Sequence, residues 1–279
     1  MSMNPEMDKN DYTDPICPFD TSEYEKEPPA KMIDVRRAIE KEDEFLSRND
    51  YDGAERVLLY WLSEADEGHD KRGRFAILNE LMGLYRKTGK KEEALKTVEE
   101  ALSMVPFVGE DTTAAGTVYL NSATVYKTFM MSEESIALFE KARPLYEKLL
   151  EPGDERLGGL YNNMALTLVD LERFDEAEIL YEKAMHIMEQ IPTGIPECAV
   201  TWLNLADLYY LRDGAEASED LVNECLDRAE ALLDTPGLKH DGNYAFVCEK
   251  CAPSYDYYGR FFYAKELMDR AGEIYNRAE

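Results

Sequence analysis

The chain has 279 residues, 44% of them hydrophobic, enough to bury a substantial core. Its 58 acidic residues against 31 basic ones give a net charge of −27, which argues against a nucleic-acid backbone or an anionic membrane as the main partner. Such a charge acts as a solvated acidic face or steers a basic partner. Five cysteines, odd in number and scattered, do not suit a disulfide framework. Residues 1–10 are polar and lack the apolar region of a signal peptide, and no run of about 18 apolar residues could cross a bilayer. A cytoplasmic protein is expected.

Residues 1–30 hold Pro5, Pro15, Pro18, Pro28 and Pro29, and eight acidic residues against Lys9 and Lys26. That composition buries too little apolar surface to offset the entropy of ordering, so a disordered acidic tail is expected. Within it Ile16, Cys17, Pro18, Phe19 and Tyr24 form a small cluster able to dock or to bind a partner. Residues 31–279 read as a series of helix pairs, about 35–68, 75–108, 116–149, 158–191, 199–232 and 245–278. The first pair carries Ala38 and Phe45, the corner Asn49-Asp50-Tyr51-Asp52, then Ala54, Leu58 and Trp61; Trp61 stands where a small residue is expected. The second carries Leu78, Leu81, Met82 and Tyr85, Gly89 as a left-handed helix end, then Ala94, Val98 and Ala101, closed by Pro106. In the third, Tyr119, Ser122, Ala123 and Tyr126 precede Ser135, Phe139 and Ala142, with Ser132 expected to cap the second helix.

The second pair is the closest to the common pattern, and the fourth, within residues 157–192, is the stretch of which most of the chain looks like further copies. Tyr161, Met164, Ala165 and Leu168 share one helix face, and after Leu171-Glu172-Arg173-Phe174 a second helix opens at Asp175, expected as its cap, with Ala177, Tyr181, Ala184 and Met188 recurring every three or four residues. Trp202, Leu205, Ala206, Tyr209, Ser218, Val222 and Cys225 mark the fifth pair. Cys248, Cys251, Ala252, Tyr255, Gly259, Ala264, Met268 and Ala271 mark the sixth, whose last helix keeps Lys265, Glu266, Asp269 and Arg270 outward. The corresponding small residues Ala54, Ala94, Ser135, Ala177, Ser218 and Ala264 lie 40, 41, 42, 41 and 46 residues apart.

This pattern of bulky, small and aromatic residues resembles the tetratricopeptide repeat. Its minimal unit takes about 34 residues, so the spacing here implies longer second helices or connectors. The spacing is similar to that of the subclass found in kinesin light chains and many bacterial repeat proteins. The resemblance covers about residues 35–278 and implies an all-α right-handed solenoid of about six antiparallel helix pairs, with the first helices lining a concave groove. It further implies that the residue two beyond the bulky aromatic faces that groove. Here those residues are Asn121, Asn163 and Asn204, with Asn79 and Asn162 one position earlier in their repeats. An amide offers an acceptor and two donors, so such a ladder can pair with the backbone of an extended peptide, or can bond across neighbouring helices and register the stack. Further along the groove Arg86 and Lys127 would meet an acidic group, while Tyr210, Leu203 and Leu120 would make the remainder apolar. A carboxylate clamp for chaperone tails needs Lys where Asn79 stands and Asn where Gly83 stands, so those tails do not fit.

Cys248-Glu249-Lys250-Cys251 has metal or redox spacing, yet both cysteines fall on the core stripe and are read as packing. His69 and His240 lie in connectors, and His186 sits among polar neighbours. No nucleophile–base pair and no phosphate loop appears. No cofactor and no enzymatic activity are expected. The expected function is capture of a protein or peptide segment in the groove. Two alternatives are a scaffold or homo-oligomer using its convex face and end helices, and a ligand-responsive sensor.

Overall fold

The structure, a computed structural model, describes residues 31–191 and 194–278. The acidic tail of residues 1–30 and its Ile16–Tyr24 cluster lie outside the described residues. Among the described residues there are thirteen helices and no strand. They fall into two compact units. The N-terminal unit, through Leu150, holds α1 (Val35–Leu46), α2 (Tyr51–Glu67), α3 (Lys71–Thr88), α4 (Lys91–Ser103), the short α5 (Val105–Val108), α6 (Thr113–Thr128) and α7 (Ser132–Leu149). The C-terminal unit, from Glu151, holds α8 (Glu155–Asp170), α9 (Phe174–Met188), α10 (Ile195–Asp213), α11 (Ala215–Leu233), α12 (Gly242–Tyr257) and α13 (Phe261–Ala278). Consecutive helices pack as hairpins, and first helices of successive pairs lie side by side, α3 against α6 and α10 against both α8 and α12.

Five of the six hairpins close through one backbone device. A single residue turns left-handed at Asn49, Gly89, Met130, Glu172 and Gly259. The residue that follows it then donates its N–H to the carbonyl five residues back, as in Lys90 to the Tyr85 carbonyl at 3.0 Å and Arg173 to the Leu168 carbonyl at 2.9 Å. This satisfies carbonyls that the helix end would otherwise strand. The same closure overturns two expected caps. Ser132 is the first residue of α7, after Met131 in the cap position, and Asp175 lies in the first turn of α9, after Arg173. The corner puts Met131 and Arg173 in the cap position, and neither makes a side-chain cap, because neither carries a side-chain oxygen to accept an N–H. Side-chain capping is found instead at the longer connectors, where Asp34, Asp70, Thr112, Asp154 and Asp241 accept backbone N–H groups; Asp50 does so at the first corner.

Asp70 does more than cap. It is buried, and its Oδ1 accepts from the Gly73 N–H at 2.9 Å while its Oδ2 accepts from the Ile33 N–H at 2.9 Å, tying the segment before α1 to the start of α3. At the fifth corner Gly214 takes φ 80° and ψ 165°, a conformation open in practice only to glycine.

The helices approach closely because one position in every second helix is small. Ala54, Ala94, Ser135, Ala177, Ser218 and Ala264 are all buried. The two serines satisfy their hydroxyls on the Ala123 carbonyl (2.8 Å) and the Gly214 carbonyl (2.7 Å). A larger side chain at any of these positions would overpack the seam by about 1–3 kcal/mol. The bulky aromatic of three first helices is covered by a cation from its own second helix: Lys141 over Tyr119, Lys183 over Tyr161 and Arg228 over Trp202, at 5.4 to 5.8 Å from the ring centres.

Other expectations need correction. Pro106 does not simply end a helix; it sits in the first turn of α5, whose short run adds an extra cover against α6. In α13 the buried stripe runs Ala264, Leu267 and Ala271, so Met268 is turned outward by one helical step. Leu120 and Leu203, expected along the groove, are buried in the core for the same reason, being one residue off the asparagine face. Among the described residues no helix is long and apolar enough to cross a membrane.

Candidate functional site

The asparagines singled out by the sequence lie mid-helix on α3, α6, α8 and α10, where side-chain amides have no backbone need to serve. In the N-terminal unit Asn121 of α6 donates its Nδ2 to Asn79 Oδ1 of α3 at 2.9 Å, across 42 residues of sequence. Asn79 Nδ2 in turn donates to the Phe75 carbonyl at 2.9 Å. Both residues are closed to solvent, with 7% and 4% of their surface exposed. The chain of donors runs out at Asn121 Oδ1, a buried acceptor with no hydrogen-bond partner among the described residues.

In the C-terminal unit the same contact recurs. Asn204 Nδ2 of α10 donates to Asn162 Oδ1 of α8 at 3.2 Å, again 42 residues apart, and Thr201 Oγ1 donates to the same oxygen at 3.3 Å. Asn163 stays within its helix, donating Nδ2 to the Gly159 carbonyl at 3.1 Å. These three asparagines are half-buried. Their used atoms leave Asn162 Nδ2, Asn163 Oδ1 and Asn204 Oδ1 without a partner among the described residues. One donor and two acceptors on a partly open face suit the C=O and N–H groups of an extended backbone.

One helical turn past Asn204 lies Asp207, half-buried, whose carboxylate accepts from the Tyr258 hydroxyl at 2.8 Å. Burial pushes the Asp207 carboxyl above its ordinary range, against the opposing pull of the Tyr258 hydroxyl. Tyr210, one further turn along α10, meets Tyr257 and Tyr258 edge-on at 5.8 and 5.9 Å between ring centres, and those two rings stand 5.0 Å apart. Tyr181, fully buried on α9, has a hydroxyl without a hydrogen-bond partner, and its pKa is raised by burial first and then by Asp207 and Asp170. The sequence reading identified Asn204 and Tyr210 but missed Asp207, Tyr257 and Tyr258. The available signal was the three-residue spacing of Asn204, Asp207 and Tyr210, which puts them on one helix face.

Arg86 and Lys127 sit half-buried near the ends of α3 and α6 in the N-terminal unit, and both already interact with surrounding groups. Cys248 and Cys251 are fully buried; burial pushes the Cys248 thiol up to about 11 and Cys251 higher still, as expected of packing residues and not of reactive thiolates. Among the described residues no group of three or more His, Cys, Asp or Glu side chains is placed to hold a metal. His240 stacks flat on Tyr244 at 4.2 Å. A second surface of interest is a groove of about 370 Å³ along α1 and α2, lined by Arg37, Lys41, Phe45, Arg56, Tyr60 and Trp61 among others.

Helix hairpins with one small residue per seam, stacked in register and presenting polar side chains from their first helices, define a helical repeat protein. Residues 114–190 and 156–231 match the tetratricopeptide repeat family model, and that stretch of the chain is built of tetratricopeptide repeats. None of the curated proteins compared with it matches. Among solved structures it is similar to BtubC (BKLC) from P. vanneervenii, with 20% identity, a TM-score of 0.54, and coverage of 83% of this chain and 92% of that one. It is also similar to a candidate kinesin light chain of Podosopora anserina with nearly identical TPR-like repeats, with 18% identity, a TM-score of 0.52, and coverage of 74% and 97%. At these identities the likeness is one of fold. Proteins of this fold act in general as protein-interaction scaffolds.

Proposed function

We propose that the chain is an adaptor that captures an extended peptide segment of a partner protein along the α8–α10 face of the C-terminal unit. The observation that carries this reading is the set of uncommitted amide atoms on Asn162, Asn163 and Asn204, which are partly exposed and one repeat apart. A peptide backbone laid across them would gain hydrogen bonds whatever its side chains, and Tyr210 would bound the far end. An acidic group on the ligand belongs to the same proposal for the N-terminal unit, where it would have to displace the interactions that Arg86 and Lys127 already make.

The test is recovery of partners from native cell extract by wild type and by an Asn163→Ala/Asn204→Ala variant, followed by titration of the recovered segment. Loss of about one charge-free hydrogen bond per site lowers affinity by roughly tenfold for the pair. Unchanged affinity in a folded variant sinks the reading and leaves the amides as stack registers.

One observation favours a second reading, the scaffold or homo-oligomer. At the α12–α13 corner Phe262 is 95% exposed, beside exposed Phe261 and Tyr257. Light scattering that shows a stable oligomer lost on Phe262→Ser, and kept on Asn204→Ala, would select it.

A further inference from the structure

We infer that Asp207 and the tyrosines around it form a site for one positively charged side chain, a lysine or an arginine of the captured peptide. The inference rests on the reading above that α10 faces the peptide, and it names the chemistry of one ligand position. Asp207 is a half-buried carboxylate with no cation paired to it among the described residues. The basic residue nearest to it on α10, Arg212, is committed elsewhere, to Glu178 at 3.0 Å and Asp213 at 2.9 Å, and lies over Tyr209. A carboxylate removed from water without a counter-ion is unfavourable, so a cation arriving at it gains more than it would at a solvated surface acid.

The rings add the second half of the site. Tyr210, Tyr257 and Tyr258 stand at 73° to 86° to one another, so a cation beside the cluster meets a ring face from more than one side. Elsewhere in the chain Tyr119, Tyr161, Trp202, Tyr209 and Tyr263 each have a cation of the chain itself over the ring. Among the described residues no cation lies over Tyr210, Tyr257 or Tyr258. Tyr257 is 65% exposed, which keeps the site open. A net charge of −27 draws basic segments toward any such position.

The experiment uses the full chain, with ring signals of Tyr257 and Tyr258 followed by NMR. Arginine amide and lysine amide, like the norleucine amide used as the uncharged control, are acetylated on the α-amine, so that the side chain alone carries charge, and are titrated first because they hold no peptide to be read. Both are expected to shift the two rings, norleucine amide is not, and Asp207→Asn should weaken the arginine titration by about tenfold while keeping an acceptor for the Tyr258 hydroxyl. Equal shifts from norleucine amide, or an arginine titration unchanged by Asp207→Asn in a chain with wild-type melting, overturns the inference. A short acetylated alanine–serine peptide with central norleucine then reports on the asparagines alone. Its indifference to Asn163→Ala and Asn204→Ala would remove the peptide reading while leaving the amide titrations to decide the cation site.

Discussion

Asn79–Asn121 and Asn162–Asn204 are one contact made twice, with the same donor direction and the same 42-residue separation, in two different environments. In the N-terminal unit α6 is enclosed by α3, α4, α7 and the short α5, which has no counterpart in the other pairs among the described residues. Eleven of its sixteen residues are buried, so the pair it makes is sealed in. In the C-terminal unit the pair is half-open and neighbours an unpaired carboxylate and a tyrosine cluster. A side-chain pair that sets register in one place can therefore offer leftover atoms to a ligand in another. The deciding variable is the cover, not the residue type.

The largest expected effect tests the sealed pair. Asn121→Ala strands the buried Asn79 oxygen and should cost about 1–3 kcal/mol in urea unfolding, whereas Asn204→Ala, with water at hand, should cost less than about 1 kcal/mol. Equal losses would erase the contrast between the units. Replacing both partners sharpens it: Asn79→Leu/Asn121→Leu is expected to sit within about 1 kcal/mol of wild type, since no polar atom is then left unmet. Asn162→Leu/Asn204→Leu should be as stable but lose the peptide.

A pH series separates the units further. The folded-state pKa of Asp207 is raised, so the folded chain holds that proton more tightly than the unfolded one. Stability from this group therefore falls as pH rises from the unfolded value near 4 through the folded pKa, and the full cost is present at neutral pH. Asp207→Asn should thus be more stable than wild type at neutral pH, with the gap closing as pH drops toward about 4. Asp154 and Asp241, whose pKa values are lowered, act with the opposite sign but equally in both proteins. The smallest effect concerns a corner: Glu172→Gly relieves a left-handed φ of 58° and should raise stability by up to about 1 kcal/mol, read as a melting shift of a few degrees.

Much of this architecture was legible because close helix packing leaves a strict residue trace. Ala54, Ala94, Ser135, Ala177, Ser218 and Ala264 could be aligned by eye, and all six are buried. Gly89 announced its left-handed corner, while Met130 and Glu172 could not, since nothing about a methionine or a glutamate signals positive φ. Ser132 and Asp175 misled because a side chain caps only from the position just before the helix, and the corners put Met131 and Arg173 there. The asparagine register was visible, but amide type cannot tell a helix-to-helix bond from a ligand contact. Asp207 and Tyr258 are 51 residues apart, and only the fold brings them together.

The cysteines have one more use. Cys198, Cys225, Cys248 and Cys251 are all buried and all in the C-terminal unit, and no cysteine occurs in residues 31–150. Their thiols are suppressed by burial, with Cys198 and Cys225 pushed up to about 12. Alkylation therefore waits for the helices around them to part, and its rate clocks the opening of that unit alone. The protein carries a built-in stopwatch on the half that we assign to its partner.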